Sequence, residues 1–108
     1  MSTLITSPYE WTFPKQGGVA KFTLANQIPK RQAFKFASSN PALYRIKPEY
    51  GFVPPSGQAE VEVTRLIGPH KNDELIILWS EVEDAVTDPK RINQEPQKYE
   101  VRYPLKTV

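Results

Sequence analysis

The sequence contains no cysteine and only one histidine, His70. Without cysteine the chain can form neither a disulfide nor a thiolate metal site, and one histidine cannot supply the ligands of a zinc or iron centre. Carboxylates do occur in pairs, as at Glu60 and Glu62. Their spacing of two places both on the solvated face of a strand, not in the cleft that a carboxylate enzyme requires. We therefore expect no metal, no cofactor and no enzymatic activity.

A dominant charge and a long apolar run are also missing. Lysine and arginine total 14 against 12 acidic residues, for a formal charge of +2, and the two signs are interspersed. This balance is not typical of a nucleic-acid-binding domain. No apolar run approaches the roughly 20 residues that cross a bilayer, and the N-terminus lacks the pattern of a signal peptide. We expect a cytoplasmic protein without membrane insertion or nucleic-acid partners.

Proline is abundant instead, with 11 of 108 residues spread along the chain. Interior proline breaks helices, so long helices are not expected. About seven short segments alternate apolar and polar side chains between glycine and proline turns. The pattern predicts an all-β fold, a seven-stranded antiparallel immunoglobulin-like β-sandwich, formed by a single domain over residues 1–108. Shared parity predicts these core residues: Phe22, Phe34, Phe36, Ile46, Val61, Val63, Ile77 and Trp79.

The segment from Leu75 to Trp79 departs from this alternation because it is apolar on both sides. Its odd-numbered residues share the core face, while Ile76 and Leu78 point outward. This pair can be buried in two ways. Either the later segment from Glu83 to Gln97 folds back over it, or another molecule binds there. The segment itself is too charged for the core and is expected to form at most a short helical turn.

A series of motifs follows in a defined order over most of the chain. The motifs are Ala33-Phe-Lys-Phe36, Ser38-Ser39, Arg45-Ile-Lys-Pro48, Gly51-Phe-Val-Pro-Pro55, Glu60-Val-Glu-Val63 and Asn72-Asp-Glu-Leu-Ile-Ile-Leu-Trp79. This order resembles the major sperm protein (MSP) domain. The compact length is similar to that of the nematode sperm-specific class P proteins.

The resemblance implies binding or assembly rather than catalysis, by one of two routes. Major sperm proteins dimerise and polymerise into the filaments of amoeboid sperm, whereas VAMP-associated proteins capture acidic FFAT peptides. FFAT capture relies on a lysine after the apolar-Lys-apolar strand and on a Lys-x-Met pair in the penultimate strand. The matching positions here look like Ala37, Glu74 and Ile76. One cation is lost and another is reversed, so we expect weak or no FFAT binding.

We expect partners to bind the outward side of the two central strands, with edge-strand association as the other route. The candidate face consists of Lys35, Ala37, Ser39, Glu74, Ile76 and Leu78. The expected function is that of a cytoskeletal or assembly accessory in sperm, with other sperm cytoskeletal proteins or a second copy, in a homodimer, as partners. A peptide-binding adaptor of the VAMP-associated type with altered, non-FFAT specificity is the alternative. Oligonucleotide binding ranks third, because aromatic and basic residues on alternating strands take opposite faces.

Overall fold

A computed structural model describes residues 4–7, 11–14, 16–69, 72–96 and 98–107. These residues form nine strands and one short 3-10 helix, Pro89–Gln94. The strands are β1 Leu4–Ser7, β2 Trp11–Phe13, β3 Gly18–Asn26, β4 Gln32–Ser38, β5 Tyr44–Lys47, β6 Tyr50–Val53, β7 Gln58–Arg65, β8 Asp73–Glu81 and β9 Tyr99–Thr107. Within the described residues, no helix has the length and apolar character required to cross a membrane.

The strands form two sheets packed face to face. The four-stranded sheet has the order β1-β3-β7-β5, and the five-stranded sheet has the order β2-β9-β8-β4-β6. Neighbouring strands are antiparallel, except that β2 runs parallel to β9. The predicted all-β immunoglobulin-like sandwich is confirmed.

The strand count is higher than the seven expected from the sequence. The N-terminal segment is not one interrupted strand, since β1 pairs with β3 in one sheet and β2 with β9 in the other. The chain therefore changes sheets between β1 and β2. A further strand, β6, follows the cis Lys47–Pro48 bond and pairs with β4.

The core between the sheets follows the predicted parity. Phe34 and Phe36 lie on the inner face of β4 and are 1% exposed, with ring centroids 5.6 Å apart in an edge-to-face arrangement. Gly51 of β6 is required beside them, because a Cβ there would lie 2.5 Å from the Phe34 ring. Of the eight predicted core residues, Ile46 and Trp79 are only partly buried and pack against the edge of the core.

A second, smaller apolar cluster lies on the outer face of the five-stranded sheet. Ala33, Val82 and Ile92 are buried there, and Leu78 and Val86 pack against them. The described part of the segment from Glu83 onward does contain a short helical turn, Pro89–Gln94, as predicted. The prediction that the segment is too charged to contribute to a core is wrong. Ile92 is fully buried, because a single apolar residue can face the sheet from a 3-10 helix whose polar residues remain exposed.

Arginine 31 holds this segment against the sheet. The Arg31 Nη2 atom donates hydrogen bonds to the backbone carbonyls of Glu83 and Val86 at 2.6 and 2.5 Å. The guanidinium lies 4.1 Å from the centre of the Phe52 ring, a distance at which the cation is attracted to the ring face. The covering segment is therefore fastened through its backbone as well as through Ile92.

The inner and outer positions of β4 should differ sharply in their effect on stability. Phe36→Ala removes a buried ring and should lower the free energy of unfolding by about 3–5 kcal/mol. Lys35→Ala, one residue earlier and on the outer face, should change it by no more than about 0.5 kcal/mol. Urea unfolding followed by circular dichroism measures both, and similar midpoints for the two variants would contradict the assignment of faces.

Candidate partner-binding face

The two central strands of the five-stranded sheet bring most of the candidate residues together. In the register of β4 and β8, Lys35 lies opposite Leu78, and Ala37 lies opposite Ile76. All four point away from the core, because Phe36 and Ile77 between them are buried on the inner face. The four side chains form one patch on the outer face of the sheet.

The covering segment divides this patch. Leu78 packs against the second apolar cluster, whereas Ile76 and Ala37 belong to neither cluster. The chain itself therefore packs against Leu78, whereas Ile76, which is partly buried like Leu78, lies outside that cluster. Cover of Ile76 by another molecule stays a prediction. We call Lys35, Ala37 and Ile76 the open patch.

Ser39 joins the end of β4 to β8 through its backbone and its hydroxyl. Its N–H donates to the Glu74 carbonyl at 2.9 Å, and its Oγ accepts from the Glu74 N–H at 2.9 Å. The same hydroxyl donates to the Asp73 carboxylate at 3.3 Å. Because both roles of the hydroxyl are used within the chain, Ser39 extends the pairing of β4 with β8 beyond the last residue of β4.

Glu74 does not present an isolated negative charge. Arg102 of β9 places Nη1 3.5 Å from the Glu74 carboxylate and Nε 2.9 Å from that of Glu100. The hydrogen bond and charge of Glu100, followed by those of Glu74, raise the pKa of Arg102. The repulsion that Glu74 would exert on an acidic peptide is therefore reduced by a neighbouring cation.

Sequence reasoning missed Arg102 because its role depends on the register of β9. Arg102 lies opposite Ile76 across the β8 and β9 pairing, so the long side chain reaches both neighbouring carboxylates. Alternation along β9 does predict that Arg102 faces outward. Nothing in the sequence indicates which residue of β8 it faces.

Lys35 lies beside an aromatic residue that sequence reasoning also missed. Its Nζ is 5.5 Å from the centre of the Tyr50 ring, and Lys90 of the 3-10 helix is 5.9 Å from the same ring. Asn93 Nδ2 donates to the Tyr50 hydroxyl at 3.2 Å. This hydrogen bond and the two lysine charges lower the pKa of Tyr50. Lys35 is thus oriented across the pairing of β4 with β6.

A cleft opens along the side of β4 next to the open patch. Its volume is about 330 Å³, and it separates the last residues of β4 from β5. Ala37 and Ser38 line one wall, and Tyr44 and Ile46 line the other. The patch and the cleft together can accept an apolar side chain beside a cation, which is a chemistry of recognition and not of catalysis.

Sequence comparison identifies known proteins that are similar to this chain. The family model of the MSP (major sperm protein) domain matches residues 3–101. Sperm-specific class P protein 31 of Caenorhabditis elegans is 43% identical over 83 residues, which cover 77% of this chain and 78% of the relative. Sperm-specific class P protein 32 of the same organism is 40% identical over 85 residues, 79% of each chain.

Solved structures agree with the sequence comparison. The structure of WR4, an MSP family member of Caenorhabditis elegans, superposes with a TM-score of 0.93 at 31% identity and covers 100% of both chains. SSP-19, an MSP-domain-like family member of the same organism, superposes with a TM-score of 0.89 at 31% identity, over 95% of this chain and 97% of that one.

The contact between Asn93 and Tyr50 should be visible in the ionisation of Tyr50. Asn93→Ala removes a donor that stabilises the phenolate, so the pKa of Tyr50 should rise toward its ordinary value. An NMR titration of the Tyr50 ring carbons measures this shift. Gln94→Ala, in the same 3-10 helix, is the control and should leave the titration unchanged. An unaltered titration of Tyr50 in the Asn93 variant would show that the contact is not formed.

Proposed function

Because this chain belongs to the MSP (major sperm protein) domain family, we propose that it is a non-enzymatic protein-interaction domain acting as an assembly accessory of the sperm cytoskeleton. Its proposed location is the sperm cytoplasm. The named relatives are sperm-specific proteins, which supports the cell type. The observation that carries the proposal is the open patch, where the partly buried Ile76 and Ala37 lie on the central strands of a sheet, outside the apolar cluster that packs against Leu78.

The patch has the properties of a weak protein-docking surface. An apolar residue in the middle of a sheet is stabilised when a partner covers it, since burying apolar surface contributes about 25 cal/mol per Å². Lys35 on one side and the pair Glu74 and Arg102 on the other provide charges of both signs at its border. Such a mixed border favours a defined partner orientation over nonspecific adhesion.

A peptide-binding adaptor remains the second candidate, and the cleft beside β4 is the observation that favours it. An extended peptide could place an apolar side chain between Ala37 and Ile46. Its specificity would differ from FFAT recognition, because Ala37 offers no cation and Glu74 is paired with Arg102. The two candidates use neighbouring surfaces and differ in whether the partner is folded.

The proposed function predicts that the chain sediments with filaments assembled from purified major sperm protein. Ile76→Lys should abolish this co-sedimentation while leaving the melting temperature nearly intact, because the core between the sheets is untouched. Val19→Lys is a matched control, since Val19 is 60% exposed on the outer face of the other sheet. It should co-sediment like the unmodified chain.

Other outcomes would count against this proposal. If the unmodified chain stays in the supernatant, the assembly role is wrong. If Ile76→Lys melts lower by several degrees, Ile76 stabilises the monomer itself, since a loss of about 1 kcal/mol shifts a domain of this size by about 4–8 °C. Co-sedimentation of Ile76→Lys at the level of the Val19 control would remove the open patch from consideration.

A further inference from the structure

The end of β4 has no strand beside it on one edge. Strand β6 pairs with β4 only along Gln32–Lys35, and the last hydrogen bond on that side joins the Phe36 N–H to the Glu49 carbonyl at 2.8 Å. The strand before β6 is β5, which pairs with β7 in the other sheet. The structure describes residues 16–69 without interruption, and no strand within that range pairs with Ser38 on the β6 side.

The backbone groups of Ser38 point to this uncovered side. The Ser39 N–H bonds to the Glu74 carbonyl of β8 at 2.9 Å, and backbone groups alternate sides along an antiparallel strand. Ala37 therefore bonds to Ile76 of β8, whereas the N–H and C=O of Ser38 are directed away from β8. Neither group has a hydrogen-bond partner among the described residues, so the end of β4 can accept another strand.

The side chains beside this edge leave room for a ligand. Phe36 and Ser38 line the cleft of about 330 Å³ from β4, and Tyr44 and Ile46 line it from β5. A volume of this size lies in the range of small ligand sites. Ile46 is only partly buried, although alternation directs its side chain toward the core. An apolar side chain that enters the cleft can therefore pack against Ile46.

Tyr44, which lines the same cleft, carries an unpaired buried group. Its side chain is 3% exposed, and its hydroxyl has no hydrogen-bond partner among the described residues. The ring itself is well packed, since it meets Phe13 edge to face with centroids 5.7 Å apart. Buried polar groups normally have a partner, so the chain alone does not satisfy this residue of the cleft.

We infer, on the basis of the interaction role proposed above, that the cleft binds an extended segment of another protein, which adds a short strand to the end of β4 in line with β6. The residue opposite Ser38 donates its N–H to the Ser38 carbonyl and accepts from the Ser38 N–H. Directly opposed residues share one face of a sheet, so the side chain of that residue enters the cleft against Ile46. Backbone pairing supplies affinity and the pocket supplies specificity, as in other cases of strand addition.

The lining of the cleft defines the chemistry of this segment. The inserted side chain is apolar, because it lies between Phe36 and Ile46. Lys35 and Arg45 outnumber the carboxylate of Glu49 among the charged residues of the lining, so an acidic residue next to the apolar one is favoured. FFAT recognition relies on side chains of the outer face, so backbone pairing at this edge is a distinct mode. One hydrogen-bonded pair is short, so the complex dissociates readily.

Two synthetic peptides test the pairing in an amide hydrogen-exchange experiment followed by NMR. The probe is Thr-Thr-Leu-Glu-Thr-Thr with blocked ends, in which leucine is the residue opposite Ser38. The Ser38 amide should exchange about tenfold more slowly with saturating probe than in the free chain. The Ala37 amide, which bonds to β8, should exchange slowly in both states. The control peptide carries a methyl group on the leucine nitrogen, so it keeps every side chain, lacks the donor and should bind about tenfold more weakly.

Variants of the chain separate the cleft from the open patch. Ile46→Lys places a cation in the cleft and should weaken probe binding about tenfold or more, whereas Val19→Lys, on the outer face of the other sheet, should bind normally. Ile76→Lys should also bind the probe normally, although it should fail to co-sediment with filaments. Failure of the docking role of the open patch is thus distinguishable from failure of strand addition.

Three results would overturn the inference. The first is unchanged exchange of the Ser38 amide at millimolar probe. The second is equal binding of the probe and its N-methyl control, since binding would then not depend on backbone pairing. The third is protection of the Ile46 amide in place of that of Ser38, which would place the segment on β5. All three are measured on the unmodified chain, so they hold even where Ile46→Lys lowers the stability of the fold.

Discussion

Strand β8 is apolar on both faces and flanked by strands on both edges, and the rest of the structure is arranged around it. Its inner residues Leu75 and Ile77 are fully buried between the sheets. Its outer residues Ile76 and Leu78 are both partly buried, and the second apolar cluster packs against Leu78 but does not include Ile76. The open patch follows from this difference.

The alternation of apolar and polar residues was sufficient to predict the sandwich and the inner face of each strand. Phe36 and Ile77 could be assigned to the core because a period of two admits only one face for each. The same argument placed Lys35 and Ile76 on the outside. It could not reveal that Lys35 lies beside Tyr50, since that contact depends on the pairing of β4 with β6.

Contacts between distant segments explain the other differences. Ile92 is one apolar residue in a polar segment, so composition predicts that the segment is exposed to solvent. The segment is instead held against the sheet by Arg31, which bonds to the Val86 carbonyl and lies over the Phe52 ring. The neutralisation of Glu74 by Arg102 likewise depends on a register that alternation does not specify. A sequence can define the face of a residue while leaving its partner on that face undetermined.

The register of β8 assigns one set of its backbone groups to β4 and the other to β9. Residue-resolved amide hydrogen exchange, measured by NMR, tests this register most directly. Along β9, the amides of Val101 and Tyr103, which point toward β8, should exchange slowly. Rapid exchange of both amides would contradict this register.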